Sequence, residues 1–205
     1  MGRPKLVKDD VDIFMDYDLY IPNRTIYMGS CSESDGVEGG TDFLMAERMV
    51  KSLHILNSRA PNGDAPITII MNNIGGDEFH GMAIFDAIRD SVNHVTIKVY
   101  GHAMSMGSII LQAADRRLMS KHSEIMIHYG TWGHNDHSKT IYKWAERGKK
   151  FDAWMEDNYL SKIREVNPKF SKKKLQEMLN FDTFLDAEES LSLGLIDEII
   201  NPNEG

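Results

Sequence analysis

Ser105 lies in the stretch Tyr100-Gly101-His102-Ala103-Met104-Ser105-Met106-Gly107-Ser108. Before it, Val95 to Tyr100 alternates β-branched and long residues and reads as a strand. After it, Ile109 to Ala114 has the composition of a buried helix. A serine on such a strand-to-helix turn exposes its hydroxyl. The first free amides of the helix then point at whatever the hydroxyl attacks. That chemistry is a nucleophile with an anion hole beside it. The same stretch also fits a serine N-cap on a buried helix. A nucleophile needs a base, and the base needs a carboxylate to orient it. His128 ends the strand-like run Glu124 to His128, although a histidine there is often structural. Acids follow the longest helical pattern of the chain, so the order Ser, His, Asp is available. Spacing does not establish a triad, which is defined by geometry.

The elements that must position these residues form a repeated βα pattern. Arg24 to Met28 reads as a strand, and Gly29 to Gly40 as a loop. Thr41 can cap a helix whose apolar stripe runs from Phe43 to Leu56. Ile67 to Met71 is a strand apolar enough to be buried on both faces. It runs straight into Asn72-Asn73-Ile74-Gly75-Gly76-Asp77, where two glycines let the backbone turn sharply and approach a ligand. Another amphipathic helix follows, from Phe79 to Ile88. Strand, Gly-Gly, helix, strand, small-residue turn, helix implies largely parallel pairing with right-handed crossovers. Sites in such sheets lie beyond the carboxyl ends of the strands, where Gly75-Gly76 and Ser105 both fall. Arg117 to Met119 is a further strand. Lys139 to Val166 is the longest helix, with an aromatic stripe and Gly148 as a place for a kink, and Pro168 stops it. Ser171 to Leu179 is a short helix. Asp186 to Glu189 is a capping box opening a helix over Ala187 to Leu193, closed by Gly194. Leu195 to Ile200 is a last strand.

A net charge of −8 over 205 residues argues against a nucleic-acid face. One cysteine, Cys31, fits a reducing compartment. The polar start and the lack of a long apolar run lead us to expect a cytoplasmic protein. Asp9, Asp10, Asp12, Asp16 and Asp18 crowd the first 22 residues. Their spacing fits no calcium loop, and a solvated, irregular segment is the expectation. His134 and His137 have metal-ligand spacing on a helix but no third ligand, so no metal and no cofactor are expected.

Four segments occur in register. They are Asn72 to Gly76; Gly101 to Gly107; Met126-Ile127-His128; and Asp182 to Glu189 with Gly194-Leu195-Ile196-Asp197. Together they resemble the proteolytic subunit of the Clp protease, the ClpP family, from about Arg24 to Ile200. The resemblance implies an α/β fold, a ClpP/crotonase-like spiral of βα units with a projecting handle helix at about residues 139–166. Residues 1–23 would be an N-terminal, axial segment and 24–205 a single peptidase domain. It implies a serine endopeptidase with Ser105 as nucleophile, His128 as general base then acid, and Asp182 as the orienting carboxylate. The amides of Gly76 and Met106 would form the oxyanion hole. Substrate would lie as an added strand beside Gly75 to Phe79 and Tyr129 to His134, touching Gly75, Gly76, Tyr129 and Gly130. The family assembles as heptameric rings stacked into a tetradecamer through the handles. It docks an AAA+ Clp unfoldase and needs no nucleic acid and no membrane.

The departures concern substrate and partner. Ile74 stands where the family carries proline, and Tyr129-Gly130 follows the histidine where the family has a polar residue and proline. The positions matching the unfoldase pocket include Thr68, Ile70, Asp90, Lys98, Tyr100, Leu118 and Ser120. An apolar anchor gains roughly 1.5–3 kcal/mol on burial, and polar lining removes much of that. Weak unfoldase binding, another partner or independent action is therefore expected of a divergent member, such as one encoded by a phage. The competing readings are a silent ring component and a crotonase-type acyl-CoA enzyme. The second would need an acid base and an adenine pocket that the sequence does not offer.

Overall fold

The apolar runs become the strands of one sheet. The computed structural model describes residues 9–29, 40–131, 133 and 135–201. Strand β1 (Leu19–Tyr20) pairs antiparallel with β2 (Thr25–Gly29). From β2 the sheet continues in parallel through β3 (Ile67–Asn73), β4 (Val95–Met104), β5 (Arg116–Ser120) and β8 (Glu198–Ile200). The intervening helices are α2 (Phe43–Arg59), α3 (Glu78–Arg89) and α4 (Met106–Leu111). This is the mixed α/β architecture expected of the family.

β4 has ten residues, and its edge away from β3 serves two neighbours. Its first half pairs with β5, and His102 to Met104 pair with β6 (Glu124–Ile127). Gly101 lies between the halves at φ 94°, a value that glycine adopts freely. A Cβ there would stand 2.4 Å from the Asn72 Oδ1. β6 in turn pairs antiparallel with β7 (Thr183–Leu185). The sheet thus turns away from its own plane at β4, and this turn carries the site.

Helix α5 (Ser138–Val166) runs unbroken through Gly148, and its base buries Met155, Tyr159, Leu160 and Ile163. Ser171 caps α6 (Lys172–Leu179) through the Lys174 amide. α7 (Ala187–Leu193) has the full capping box of Asp186 and Glu189, and Gly194 closes it at φ 82°.

Some sequence expectations need correction. Ile67, Ile69 and Met71 are buried, but Thr68 and Ile70 are only half-buried. β3 therefore has one buried and one half-buried face. Asp42, not Thr41, caps α2 by accepting from the Met45 N–H. The last strand is only Glu198–Ile200. The acidic start is not irregular: Asp10–Tyr17 forms helix α1, capped by the Asp9 carboxylate on the Asp12 amide. Asp9, Asp10 and Asp12 stand at its start, where a helix N-terminus favours carboxylates, whereas Asp16 and Asp18 lie at its other end. The expectations for Cys31 and His134 fall outside the described residues. His137 caps α5 by accepting from the Lys139 N–H. Among the described residues no helix is long and apolar enough to cross a membrane.

Candidate active site

Two strand registers bring three distant residues together. Met104 pairs with Met126 across β4 and β6, so Ser105 emerges beside the end of β6. Ile127 pairs with Thr183 across β6 and β7, so the next residue, His128, faces the preceding one, Asp182. The His128 Nε2 lies 2.8 Å from the Ser105 Oγ, and its Nδ1 lies 2.8 Å from the Asp182 Oδ1. A carboxylate only accepts, so Nδ1 must carry the proton in this pair. Neutral imidazole then leaves Nε2 as an acceptor for the Ser105 hydroxyl. The Asp182 side chain is 60% exposed, whereas that of His128 is 18% exposed.

Ser105 sits at φ 50° and ψ −122°, a conformation that L-residues avoid. Such strain costs roughly 1–3 kcal/mol and persists only where the surroundings enforce it. Here its N–H donates to the Met126 carbonyl at 2.8 Å. Its carbonyl accepts from the Ser108 Oγ at 2.6 Å. That hydroxyl has one proton, so the Tyr159 hydroxyl, 2.6 Å away, must donate to it. Burial pushes the Tyr159 phenol well above its usual range and keeps it a donor. Helix α5 thereby supports the serine turn from inside the core. Neither Ser108 nor Tyr159 was singled out from the sequence. Tyr159 stood in an apolar stripe, and its hydroxyl was the only signal.

Gly75 and Gly76 lie against this turn at φ 94° and 147°. A Cβ on Gly75 would stand 2.6 Å from the Ser105 Cβ and 2.9 Å from the Met106 nitrogen. A Cβ on Gly76 would collide with the Thr41 carbonyl at 2.4 Å. Thr41 clamps the segment: its N–H donates to Gly75 O at 2.6 Å and its carbonyl accepts from Asp77 N–H at 2.7 Å. The buried Asn73 accepts from Gly75 N–H at 2.9 Å and from the Thr41 hydroxyl at 3.0 Å. Along the chain Thr41 offers only a helix cap, because its partners Asn73, Gly75 and Asp77 are 32 or more residues away. The Met106 N–H opens α4 and has no carbonyl below it in the helix.

The expected substrate edge is shorter than the sequence suggests. Glu78 and Phe79 begin α3, so only Gly75 to Asp77 lie outside the helix. The capping carboxylate of Asp77 turns the chain into the helix there. The Tyr129 N–H is taken by the Leu179 carbonyl at 2.7 Å. Its hydroxyl donates to Glu156 on α5. Gly130 faces open space. Burial pushes the Glu156 carboxyl up, but hydrogen bonds from Tyr129, Lys172 and Gln176 outweigh it and hold the group below its usual value.

Beside Ser105 and His128 opens a cavity of about 360 Å³. Met106, Ile109, Phe151 and Met155 supply apolar wall, and Glu78, Arg147 and Asp152 line it with charge.

The sequence matches the family model described as Clp protease over residues 37–203. It is 31% identical over 190 residues to an ATP-dependent Clp protease proteolytic subunit of Deinococcus radiodurans, spanning 90% of this chain and 85% of that protein. It is 30% identical over 180 residues to ATP-dependent Clp protease proteolytic subunit 1 of Protochlamydia amoebophila, spanning 83% of this chain and 80% of that protein. The family match spans β3 to β8, the serine turn and α5, and the chain therefore belongs to the Clp protease family as a ClpP-type serine peptidase.

Proposed function

We propose that the chain cleaves peptide bonds through an acyl-enzyme on Ser105. The observation that supports this most directly is the His128 ring, hydrogen-bonded at once to Ser105 and Asp182. The Ser105 Oγ attacks the carbonyl carbon while His128 Nε2 takes its proton. The N–H groups of Gly76 and Met106 receive the oxyanion, as developing charge in a preorganised site requires. The C–N bond breaks, and His128 returns the proton to the leaving amine. Water then attacks the ester with His128 again as base, releasing the acid and restoring the serine. Asp182 holds the imidazole tautomer throughout and stabilises the imidazolium. A peptide would run beside Gly75 to Asp77 and the open Gly130, which flank the serine.

The relatives are named as subunits of an ATP-dependent protease. By extension this chain works inside a homo-oligomeric chamber of stacked heptameric rings, with α5 as the projecting contact. Ile70, Lys98 and Leu118 are register partners on neighbouring strands. Lys98 therefore stands between the two apolar residues of the matching unfoldase pocket. That polarity supports weak docking of an ordinary AAA+ Clp unfoldase.

The test is hydrolysis of short fluorogenic peptides by wild type and Ser105→Ala, with particle mass recorded on the same samples. Activity lost in the variant on an unchanged particle is expected. Equal activity in both would refute the assignment of Ser105.

A further inference from the structure

The cavity beside Ser105 has an apolar body and an unmatched charge. Met106, Ile109 and Met155 are each under 5% exposed and form its wall with Phe151. Four charged residues also line it: Asp77, Glu78, Arg147 and Asp152. Arg147 is committed, because its guanidinium donates to the Glu78 carboxylate and lies 4.0 Å over the Phe79 ring. Asp77 is committed to the His80 N–H as the cap of α3. Asp152 is different. It is half-buried and has no hydrogen bond or ion pair with any described residue. Lys149 shares an adjoining hollow with it but forms no ion pair there. Glu156, one helical turn on, has Lys172 at 3.0 Å and offers Asp152 only repulsion. Burial, then Glu156 and Glu78, push the Asp152 carboxyl above its usual value.

A half-desolvated acid without a partner favours a ligand that brings a cation. An apolar stem with a cationic tip also suits the wall. We propose that this cavity selects lysine or arginine as the residue whose carbonyl Ser105 attacks, with Asp152 as the residue that makes the selection. The inference rests on the Ser105 acyl-enzyme reading above. Acidic side chains are disfavoured by the same charge, since the Arg147 cation is already paired with the Glu78 carboxylate. Purely apolar side chains fill the wall but leave Asp152 further from water and still unpaired.

The test uses the full-length protein and aryl phosphonate probes that differ in one side chain: lysine, arginine, norleucine or glutamate. Modification of Ser105 is followed by mass spectrometry, beside hydrolysis of the matching fluorogenic peptides. The lysine and arginine probes should modify Ser105 roughly tenfold or more faster than norleucine, and glutamate slowest. In Asp152→Asn the lysine-to-norleucine ratio should fall to about one, and the norleucine probe reports whether that variant is folded. Asp152→Lys should reverse the order of lysine and glutamate. Equal rates in the wild type, or a ratio unchanged in Asp152→Asn, overturn the proposal while Ser105 still reacts. Failure of every probe to modify Ser105 overturns the reading beneath it, and the proposal with it.

Discussion

Ser105, the proposed nucleophile, sits on a strained backbone. Its φ of 50° is held by the Met126 carbonyl on one side and the Ser108 hydroxyl on the other. Ser105→Ala keeps the strain and loses the nucleophile, so peptide hydrolysis should fall by about 10³-fold or more. Ser105→Gly loses the nucleophile and the strain together. It should be equally inactive but unfold at higher denaturant than Ser105→Ala, by about 1 kcal/mol. Identical midpoints for the two variants would show that the turn is unstrained. Asp182 makes a different case, because its carboxylate is largely exposed. Water can replace part of its role, so Asp182→Asn should lower kcat by about 10²-fold, short of the roughly 10⁴-fold loss for a buried orienting acid. Steady-state kinetics on one fluorogenic peptide decide between the two magnitudes.

At the scale of elements, the site depends on how β8 and β5 are tied. The buried Arg117 donates to Gln112 at 2.6 Å, to the Gly194 carbonyl at 3.0 Å and to the Asp197 carboxylate. It thus joins the end of α4, strand β5 and the turn into β8. Burial pushes the Asp197 carboxyl up, but its hydrogen bonds from Arg117 outweigh this and hold it below its usual value. A depressed folded value stabilises the protein above the unfolded value, and this is lost as pH falls through the folded one. Asp197→Asn should therefore cost about 2 kcal/mol at neutral pH, after discounting for the exposed edge of the carboxylate. The gap to wild type should close below about pH 4. Denaturant midpoints taken between neutral and acid pH measure this, and a constant gap would place the stabilisation elsewhere. Much of this layer was legible in the sequence. The capping box at Asp186 and the Gly194 stop depend on residues three to eight apart, and such local rules can be read along the chain. The α1 helix was missed because its charged residues masked a capped turn that buries no side chain.

For the whole molecule, a single chain leaves large apolar side chains uncovered. Phe43, Phe79 and Tyr142 are 62%, 52% and 69% exposed. A chain of 23.3 kDa assembled in two stacked rings should give a particle of about fourteen copies by native mass spectrometry. A monomer at micromolar concentration would contradict the chamber reading. An immobilised particle should retain an ordinary AAA+ Clp unfoldase weakly, and Lys98→Leu should strengthen retention. Tight retention by the wild type would reject the view that Lys98 spoils the pocket.

What the sequence determined by itself was the family and a set of candidate residues for the chemistry. Gly75-Gly76, the Ser105 turn and His128 are short motifs, and each local backbone requirement is written in adjacent residues. Tertiary structure decided which distant groups meet. The His128–Asp182 contact spans 54 residues and follows from the β6–β7 register. Thr41 clamps Gly75, and Tyr159 supports Ser108 through hydrogen bonds across the fold. The unmatched Asp152 likewise became visible only beside Arg147 and Glu78. Local hydrogen-bonding rules act within a few residues, whereas registers and cavities arise from the simultaneous packing of the whole sheet against its helices.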